Sequence, residues 1–147
     1  MENCIFCRII KGEIPAAKVY EDDLVLAFLD IAPINFGHVL VIPKEHHESS
    51  STIPEATAGR MFRIGSRIGI ALKRKLDYDA FNLHLADGTA AGQVVMHAHL
   101  HVVPRGVEDG FHWNWRQLKY PDGKLAETAA TLAERLAADL GQGAGDK

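Results

Sequence analysis

The sequence predicts an α+β fold, in which a five-stranded antiparallel sheet is combined with one long helix and a C-terminal helix. Five short segments have the composition or the alternation of strands, whereas apolar residues recur at steps of three and four in two longer segments. The short segments follow one another mainly through turns, which favours antiparallel pairing. The chain has 147 residues and is 47% hydrophobic, enough for one core without disulfides. We therefore predict a single domain over residues 1–140.

The predicted strands are short, and two of them form a hairpin. Residues 18–21 and 24–29 flank an acidic turn, which is typical of a hairpin. Residues 38–42 form a largely apolar run, as expected of a buried strand, and residues 80–85 alternate between apolar and polar side chains. Residues 96–105 alternate in the same way and form the fifth strand.

The two predicted helices are amphipathic. The first spans residues 54 to about 75, and the apolar side chains that recur along it and directly after it are Met61, Ile64, Ile68, Ala71, Leu72 and Leu76. The second spans residues 124–140, where Gly141 follows at a position typical of a helix end. We expect residues 141–147 to form a disordered tail.

The charge and the apolar pattern argue against several classes of partner. The formal net charge is −3, from 16 basic and 19 acidic residues, so no basic surface for nucleic acid or anionic lipid is expected. No apolar run approaches the ~20 residues that span a bilayer, and the first residues do not resemble a signal peptide. We predict a cytoplasmic protein with no nucleic-acid partner and no membrane partner.

Three histidines recur at every second position of the fifth strand. In an extended strand His97, His99 and His101 share one face, whereas Ala98 and Leu100 lie on the other. Imidazole has a pKa near neutrality, so this row offers a nucleophile, a proton donor or metal ligands. The row predicts a chemical site on one face of the strand and packing on the other.

The loop before this strand is rich in small residues. Residues 87–93 include Gly88, Ala90, Ala91 and Gly92, which allow backbone N–H groups to approach an anion closely. A phosphate group is the ligand that such a loop predicts.

The loop and the histidines together resemble the signature of the histidine triad (HIT) superfamily, of the Hint-like or bacterial HIT hydrolase type. The signature consists of Ala91-Gly92-Gln93 followed by His97-x-His99-x-His101-x-x-Pro104-Arg105. The resemblance extends to residues 4–10, 28–31 and 37–44 and therefore covers residues 4 to 105. It implies a HIT-like fold and hydrolysis of a nucleoside phosphate.

The resemblance implies a catalytic set of four histidines. His99 would attack phosphorus and form a nucleotidyl-histidine, which water would hydrolyse to a nucleoside monophosphate. Protonated His101 would balance charge on the phosphate and the leaving group, and a backbone carbonyl would orient His99. His97 and His38 complete the set. Because this chain has His101 where the nucleotidyltransferase branch typically has glutamine, hydrolysis of phosphoramidates or dinucleoside polyphosphates is favoured over transfer.

The resemblance also implies the nucleotide-binding residues. Asp30 would hold the ribose of a purine nucleotide, although nothing in the sequence identifies the base. The predicted pocket and phosphate residues are Phe6, Ile10, Phe28, Ile31, Gly92, Gln93 and Val94. Two residues depart from the family pattern, because Ala86 and Val94 stand where relatives often carry side-chain donors to phosphate. Each lost donor can cost ~2.7–4 kcal/mol of transition-state stabilisation.

Cys4 and Cys7 are the only cysteines, and their spacing is typical of a metal or redox site. From the residues alone, the further ligands would be His46 or His47 together with His97, and the alternative is a pair of partly buried thiols. The resemblance implies structural zinc held by Cys4, Cys7, His46 and His97. No organic cofactor is expected.

Three hypotheses follow for the function. The favoured one is a nucleotide hydrolase, and the others are a nucleotide-binding module with little turnover and a three-histidine metalloenzyme. A homodimer is predicted from the resemblance and from Trp113 and Trp115, because an aromatic cluster often marks an interface.

Overall fold

A computed structural model describes residues 3–114 and 116–142, which fall into two compact units that divide after Phe111. The first unit contains α1 (Ile5–Ile10), β1 (Lys18–Glu21), β2 (Val25–Leu29), β3 (Val39–Pro43), α2 (Glu55–Lys75), β4 (Ala80–Leu85) and β5 (Leu100–Arg105). The second unit contains α3 (Lys124–Gln142). The single domain predicted over residues 1–140 stays a prediction. None of the described helices combines the length and the apolar character that crossing a bilayer requires.

The end of α3 differs from the prediction. Gly141 lies inside the helix, so it does not end it. The first two residues of the predicted disordered tail are therefore helical, and residues 143–147 lie outside the described residues. Glycine lowers the stability of a helix but does not forbid helical backbone, so a glycine near the end of a pattern does not fix where the helix ends.

The five strands form one antiparallel sheet, as the sequence predicts, and the structure gives their order as β1-β2-β3-β5-β4. The interior strand β5 pairs with β3 on one side and with the edge strand β4 on the other. In this register His101 lies opposite Leu40 of β3 and His84 of β4. His101 is therefore held by strand pairing on both sides, whereas His97 and His99 precede the strand.

Helix α2 covers one face of the sheet. Its side chains Met61, Ile64 and Leu72 pack against alternate residues of β2, β3 and β5. Gly69 allows the helix to approach closely, because a Cβ at this position would overlap the Phe81 ring. This face is a conventional apolar core.

Helix α1 lies on the opposite face, and the sequence analysis did not predict it. Phe6 and Ile9 from the helix pack with Leu26, Phe28, Leu40 and Ile42 of the sheet. The helix has six residues, too few for a periodic pattern to be recognised. It brings the cysteine-containing segment to the face that the histidines occupy.

The histidine-containing strand is shorter than predicted, because β5 begins at Leu100 rather than at residue 96. The N–H of His97 donates to the carbonyl of Val95 at 2.8 Å, and the N–H of Ala98 donates to the carbonyl of His47 at 2.6 Å. These bonds replace strand pairing. The predicted alternation nevertheless holds, since Ala98, Leu100 and Val102 pack on the α2 side.

Candidate active site and metal centre

A cleft of about 690 Å³ opens on the α1 face of the sheet. Helix α1, the end of β2, residues 92–95 and β5 each contribute to its walls. Residues 87–93, where the sequence predicts a phosphate, are called the phosphate loop below. Among the predicted site residues, those that line it are Phe6, Phe28, Asp30, Ile31, Gly92, Val94, His99 and His101. The sequence-predicted nucleotide and catalytic residues therefore come together largely as expected.

His99 is held by its own chain. Its Nδ1–H donates to the carbonyl oxygen of His97 at 2.7 Å, and its side chain is 6% exposed. The edge of the Phe6 ring packs against the imidazole, with ring centroids 5.3 Å apart. In the neutral ring this leaves Nε2 with a lone pair, which is the arrangement a nucleophile needs. The predicted backbone carbonyl partner of His99 is confirmed.

His38 fixes the tautomer of His101. The N–H of Ile34 donates to Nδ1 of His38 at 3.2 Å, so the proton of neutral His38 is on Nε2. That Nε2–H donates to Nδ1 of His101 at 2.9 Å. The proton of neutral His101 is consequently on Nε2. His101 thus presents an N–H donor in the wall of the cleft.

Burial favours the neutral form of His101 in the free cleft, and its predicted protonation beside a bound phosphate stays a prediction. Burial lowers its pKa to about 4, and the neighbouring imidazoles of His99, His38 and His84 act in the same direction. Burial also lowers the pKa of His38, which the Asp30 carboxylate partly offsets. Desolvation disfavours the charged imidazole in both cases.

Asp30 lies directly after β2 at the edge of the cleft. Its Oδ1 accepts the N–H of Ala32 at 2.9 Å, and its Oδ2 is 3.8 Å from Nδ1 of His38. Oδ2 accepts no hydrogen bond among the described residues and lies at the edge of the cleft, where a ligand could reach it. The predicted contact with a ribose stays a prediction.

The phosphate loop is built around Gln93, whose side chain is buried. Its Oε1 accepts the N–H of Gly88 at 2.7 Å, and its Nε2 donates to the carbonyls of Glu48 at 2.7 Å and Val95 at 3.2 Å. Both amide protons are therefore used within the protein. Gln93 does not reach the cleft, and the prediction that it brackets the phosphate is corrected to a role in holding the loop.

Of the remaining residues discussed for the pocket, Val94 lines the cleft, whereas Ile10 and Ala86 do not. Ile10 does not line the cleft but packs against the apolar cluster beneath α1, and Ile9 takes its place. Phe6 and Ile9 are three residues apart and therefore share one face of α1. This spacing would have predicted Ile9 as a pocket residue only if the segment had first been recognised as a helix. Val94 lines the cleft and is 90% exposed, whereas Ala86 is buried outside it.

Four side chains meet behind the cleft: Cys4, Cys7, His46 and His97. The Nδ1 atom of His97 lies 3.6 and 3.7 Å from the Sγ atoms of Cys4 and Cys7. The Nδ1 atom of His46 lies 3.3 Å from the Sγ of Cys7 and 3.3 Å from the Nδ1 of His97. Around tetrahedral zinc, bonds of ~2.0–2.1 Å to nitrogen and ~2.3 Å to sulfur separate two nitrogens by ~3.3 Å and a nitrogen from a sulfur by ~3.5 Å. The arrangement of these ligands fits zinc.

The group decides between His46 and His47, which the residues alone left open. His47 is not a member of it, and its Nδ1 lies 3.3 Å from Oγ1 of Thr52. Burial raises the pKa of the Cys7 thiol in the absence of a metal ion. A bound cation would favour the thiolate instead.

His97 belongs to this group rather than to the cleft. Its side chain is 0% exposed, its Nδ1 faces the cysteines, and its Nε2–H donates to the carbonyl of Pro43 at 2.9 Å. A carbonyl acceptor of this kind commonly orients metal-binding histidines. The prediction that the His97 side chain is catalytic is therefore wrong, because both ring nitrogens are engaged outside the cleft. Its carbonyl, however, orients His99.

The three-histidine metal site is also contradicted for the described residues. A second group that could hold a metal consists of Asp30, His38 and His101, and within the described residues His97, His99 and His101 do not form one. Of the two tryptophans, Trp113 is 37% exposed, and Trp115 lies outside the described residues.

Comparison with known proteins decides the family. A family model described as the HIT domain matches residues 11–107 of the chain. The chain belongs to the HIT domain family. Among its relatives, the protein hit of Bacillus subtilis is 42% identical over 139 residues, which are 92% of this chain and 96% of that protein. The adenylylsulfatase HINT3 of Arabidopsis thaliana is 38% identical over 130 residues, 88% of this chain and 66% of that protein.

Solved structures of HIT proteins have the same fold. A HIT family protein of Bacillus anthracis gives a TM-score of 0.84 at 42% identity, over 91% of this chain and 97% of that one. A histidine triad nucleotide-binding protein of Candida albicans gives a TM-score of 0.82 at 34% identity, over 92% of this chain and 99% of that one. A zinc-bound histidine triad family protein of Mycobacterium smegmatis gives a TM-score of 0.71 at 38% identity, over 93% of this chain and 98% of that one. The predicted α+β fold with its antiparallel sheet is confirmed.

Proposed function

We propose that this HIT protein is a nucleotide hydrolase that acts through a nucleotidyl-histidine intermediate on nucleoside phosphoramidates or dinucleoside polyphosphates. The observation that carries the proposal is His99, whose Nδ1–H is bound by the His97 carbonyl so that Nε2 is left as a nucleophile beside the cleft. The relative named as an adenylylsulfatase and the structure named as a nucleotide-binding protein support the same chemistry.

In the first step, Nε2 of His99 forms a bond to the α-phosphorus, and the bond from phosphorus to the leaving group breaks. A bound phosphate raises the pKa of the imidazoles of His101 and His38, since nearby negative charge favours the charged form. The hydrogen-bonded pair then carries one extra proton. His101 delivers a proton from Nε2 to the leaving group, which departs with the electron pair of the broken bond.

In the second step, water attacks the same phosphorus. The bond to His99 Nε2 breaks, the electron pair returns to the imidazole, and Nε2 of His101 takes the proton of the attacking water. A nucleoside monophosphate is released. Apolar side chains of α1 and β2, among them Phe6 and Phe28, would hold the base, and Asp30 would hold the ribose hydroxyls.

We propose that zinc occupies the group of Cys4, Cys7, His46 and His97. Four protein ligands leave no open position for substrate or water. The ion would therefore contribute to the folding free energy and would not act as a Lewis acid on the substrate. The residues fit, and the zinc-bound protein of Mycobacterium smegmatis supports the assignment. Metal analysis of the purified chain, with Cys7→Ser as the control, would show one zinc per chain and its loss in the variant.

A nucleotide-binding module with little turnover is the second candidate. It is favoured by Val94 and Ala86, which offer no side-chain donor where relatives often have one. The homodimer and the preference for a purine stay predictions. Light scattering of the full chain measures the first, and competition between adenosine and cytidine monophosphates measures the second.

Intact-protein mass spectrometry separates the two candidates. The chain is mixed with an adenosine phosphoramidate, quenched on the millisecond scale, and compared with His99→Ala. The hydrolase gains the mass of one adenylyl group and the variant does not. If neither protein gains mass and no monophosphate is released, although nucleotide binds, the chain is a binding module and the hydrolase proposal is wrong.

A further inference from the structure

His84 lies beside His101 on the face of the sheet that carries the cleft. The two residues are directly opposite in the pairing of β4 with β5, so their side chains project to the same side, and their ring centroids are 5.9 Å apart. The neighbours of His84 along β4, Leu83 and Leu85, pack on the α2 side instead. The His84 side chain is half-buried and lies just beyond the residues that line the cleft. A further imidazole thus adjoins the one that serves the leaving group.

The nucleoside and the leaving group are expected on opposite sides of His101. Asp30 and His38 lie on the β3 side of β5, where Nε2 of His38 is 2.9 Å from Nδ1 of His101. Strand β4, which carries His84, pairs along the other side of β5. The proposed ribose contact with Asp30 places the nucleoside on the β3 side. The group that leaves phosphorus then extends towards β4, where it meets His84.

An imidazole in this position favours a leaving group that carries negative charge. It offers an N–H donor when it is neutral and a positive charge when it is protonated, and both attract a phosphate oxygen. A protonated imidazole would repel the ammonium group of an amine. Arg105 lies further along the same face of β5, but its charge is paired with the carboxylate of Asp109. His84 is therefore the better placed of the two to contact an anion beside His101.

We infer that His84 is a specificity-determining residue, which contacts the leaving group and favours substrates whose leaving group carries a phosphate. The inference deepens the proposed function and rests on it. Of the two proposed substrate classes, dinucleoside polyphosphates are then preferred over phosphoramidates, because only the former release a phosphorylated leaving group. A hydrogen bond to a charged group corresponds to about a tenfold or larger effect on affinity, and we expect about tenfold at a half-buried side chain.

The first experiment measures binding and requires no turnover. Calorimetry gives the Kd of adenosine monophosphate and that of α,β-methylene adenosine diphosphate, whose second phosphate stands for the leaving group and is not cleaved. The readout is the ratio of the two Kd values, because a disturbed fold weakens both nucleotides alike. We expect the native chain to bind the diphosphate analogue about tenfold more tightly than the monophosphate, and His84→Val to bind both equally. Equal Kd values in the native chain, or a ratio retained in His84→Val, overturn the inference.

Two variants of the same residue test the charge. His84→Lys keeps a cation and should keep the preference for the diphosphate analogue, whereas His84→Glu should reverse it. Arg63→Gln is the matched control, because it removes a positive charge from α2 on the opposite face of the sheet. It should leave the ratio unchanged. If Arg63→Gln lowers the ratio as much as His84→Val does, the preference reflects net charge and the inference is wrong.

The kinetic comparison uses adenosine phosphoramidate, which releases ammonia, and diadenosine triphosphate, which releases adenosine diphosphate. In His84→Val, kcat/KM should fall about tenfold for diadenosine triphosphate and less than about twofold for the phosphoramidate. An equal fall for both substrates would assign His84 a structural role and overturn the inference. If the native chain forms no adduct with either substrate, the proposed hydrolase function fails. The ratio of Kd values still decides whether His84 contacts the second phosphate, so the two failures are distinguishable.

Discussion

Replacing Val94 by threonine should accelerate the proposed reaction. Val94 lies in the wall of the cleft at the phosphate loop, and it is 90% exposed. Threonine has nearly the same shape as valine and adds a hydroxyl group, which at an exposed position carries no burial cost. The hydroxyl would restore a donor to the phosphate that this chain lacks.

The size of the effect follows from the exposure of the site. A hydrogen bond to a charged group contributes about 1.5–3 kcal/mol, and we take the lower value because the hydroxyl remains in contact with water. About 1.5 kcal/mol of additional transition-state stabilisation corresponds to about a tenfold faster step. The single-turnover rate of His99 nucleotidylation measures that step. Val94→Ala, which removes the methyl groups and adds no donor, is the control and should leave the rate within about twofold.

The reasoning is refuted if Val94→Thr is no faster than Val94→Ala. That result would mean that the backbone N–H groups of the loop already satisfy the phosphate. A faster rate in both variants would instead mean that the valine methyl groups obstruct the substrate.

Three further predictions concern stability and binding. Gly69→Ala should lower the free energy of unfolding by about 1–3 kcal/mol, because its Cβ overlaps the Phe81 ring. Gly59→Ala, where a Cβ meets nothing within 4 Å, should raise it by about 0.5–1 kcal/mol, and urea denaturation of both variants checks the contrast. The lowered pKa of His101, about 4, means that the unfolded chain binds more protons between pH 6.5 and pH 4. The free energy of unfolding should therefore fall as the pH falls through this window. His101→Gln should reduce the dependence of this free energy on pH by up to about 1.4 kcal/mol per pH unit, measured by urea titrations at several pH values. An unchanged pH dependence in the variant would contradict the lowered pKa of His101. Asp30→Asn should weaken adenosine monophosphate binding about tenfold by calorimetry, with the saturated rate nearly unchanged, and a loss of rate alone would argue against a ribose contact.

The sheet and the long helix could be predicted because each has many residues that obey one period. Residues 18–21 and 80–85 form β1 and β4 with the predicted bounds, and α2 begins one residue later than expected. Helix α1 could not be predicted in this way. Its six residues complete fewer than two turns, so the cysteines were recognised as ligands without the helix that carries them.

The limits of prediction at the site have a common physical reason, which is competition between partners for the same polar atoms. The sequence places Gln93 beside the phosphate loop, but the backbone carbonyls of Glu48 and Val95 use both of its amide protons. The sequence aligns His97 with the other histidines, but the thiols of Cys4 and Cys7 and the Pro43 carbonyl engage its ring. Which partner prevails depends on distances that only the folded chain establishes.

The two faces of the sheet have a consequence for how this protein can change. Neighbouring residues along β3 and β5 point to opposite sides, so residues that contact α2 alternate with residues that face the cleft. Substitutions at cleft-facing positions leave the α2 packing in place, so a lineage can alter its substrate while it retains the contribution of that core to the folding free energy. A randomised library restricted to the cleft-facing positions should for the same reason contain a larger fraction of folded variants than one that covers consecutive positions.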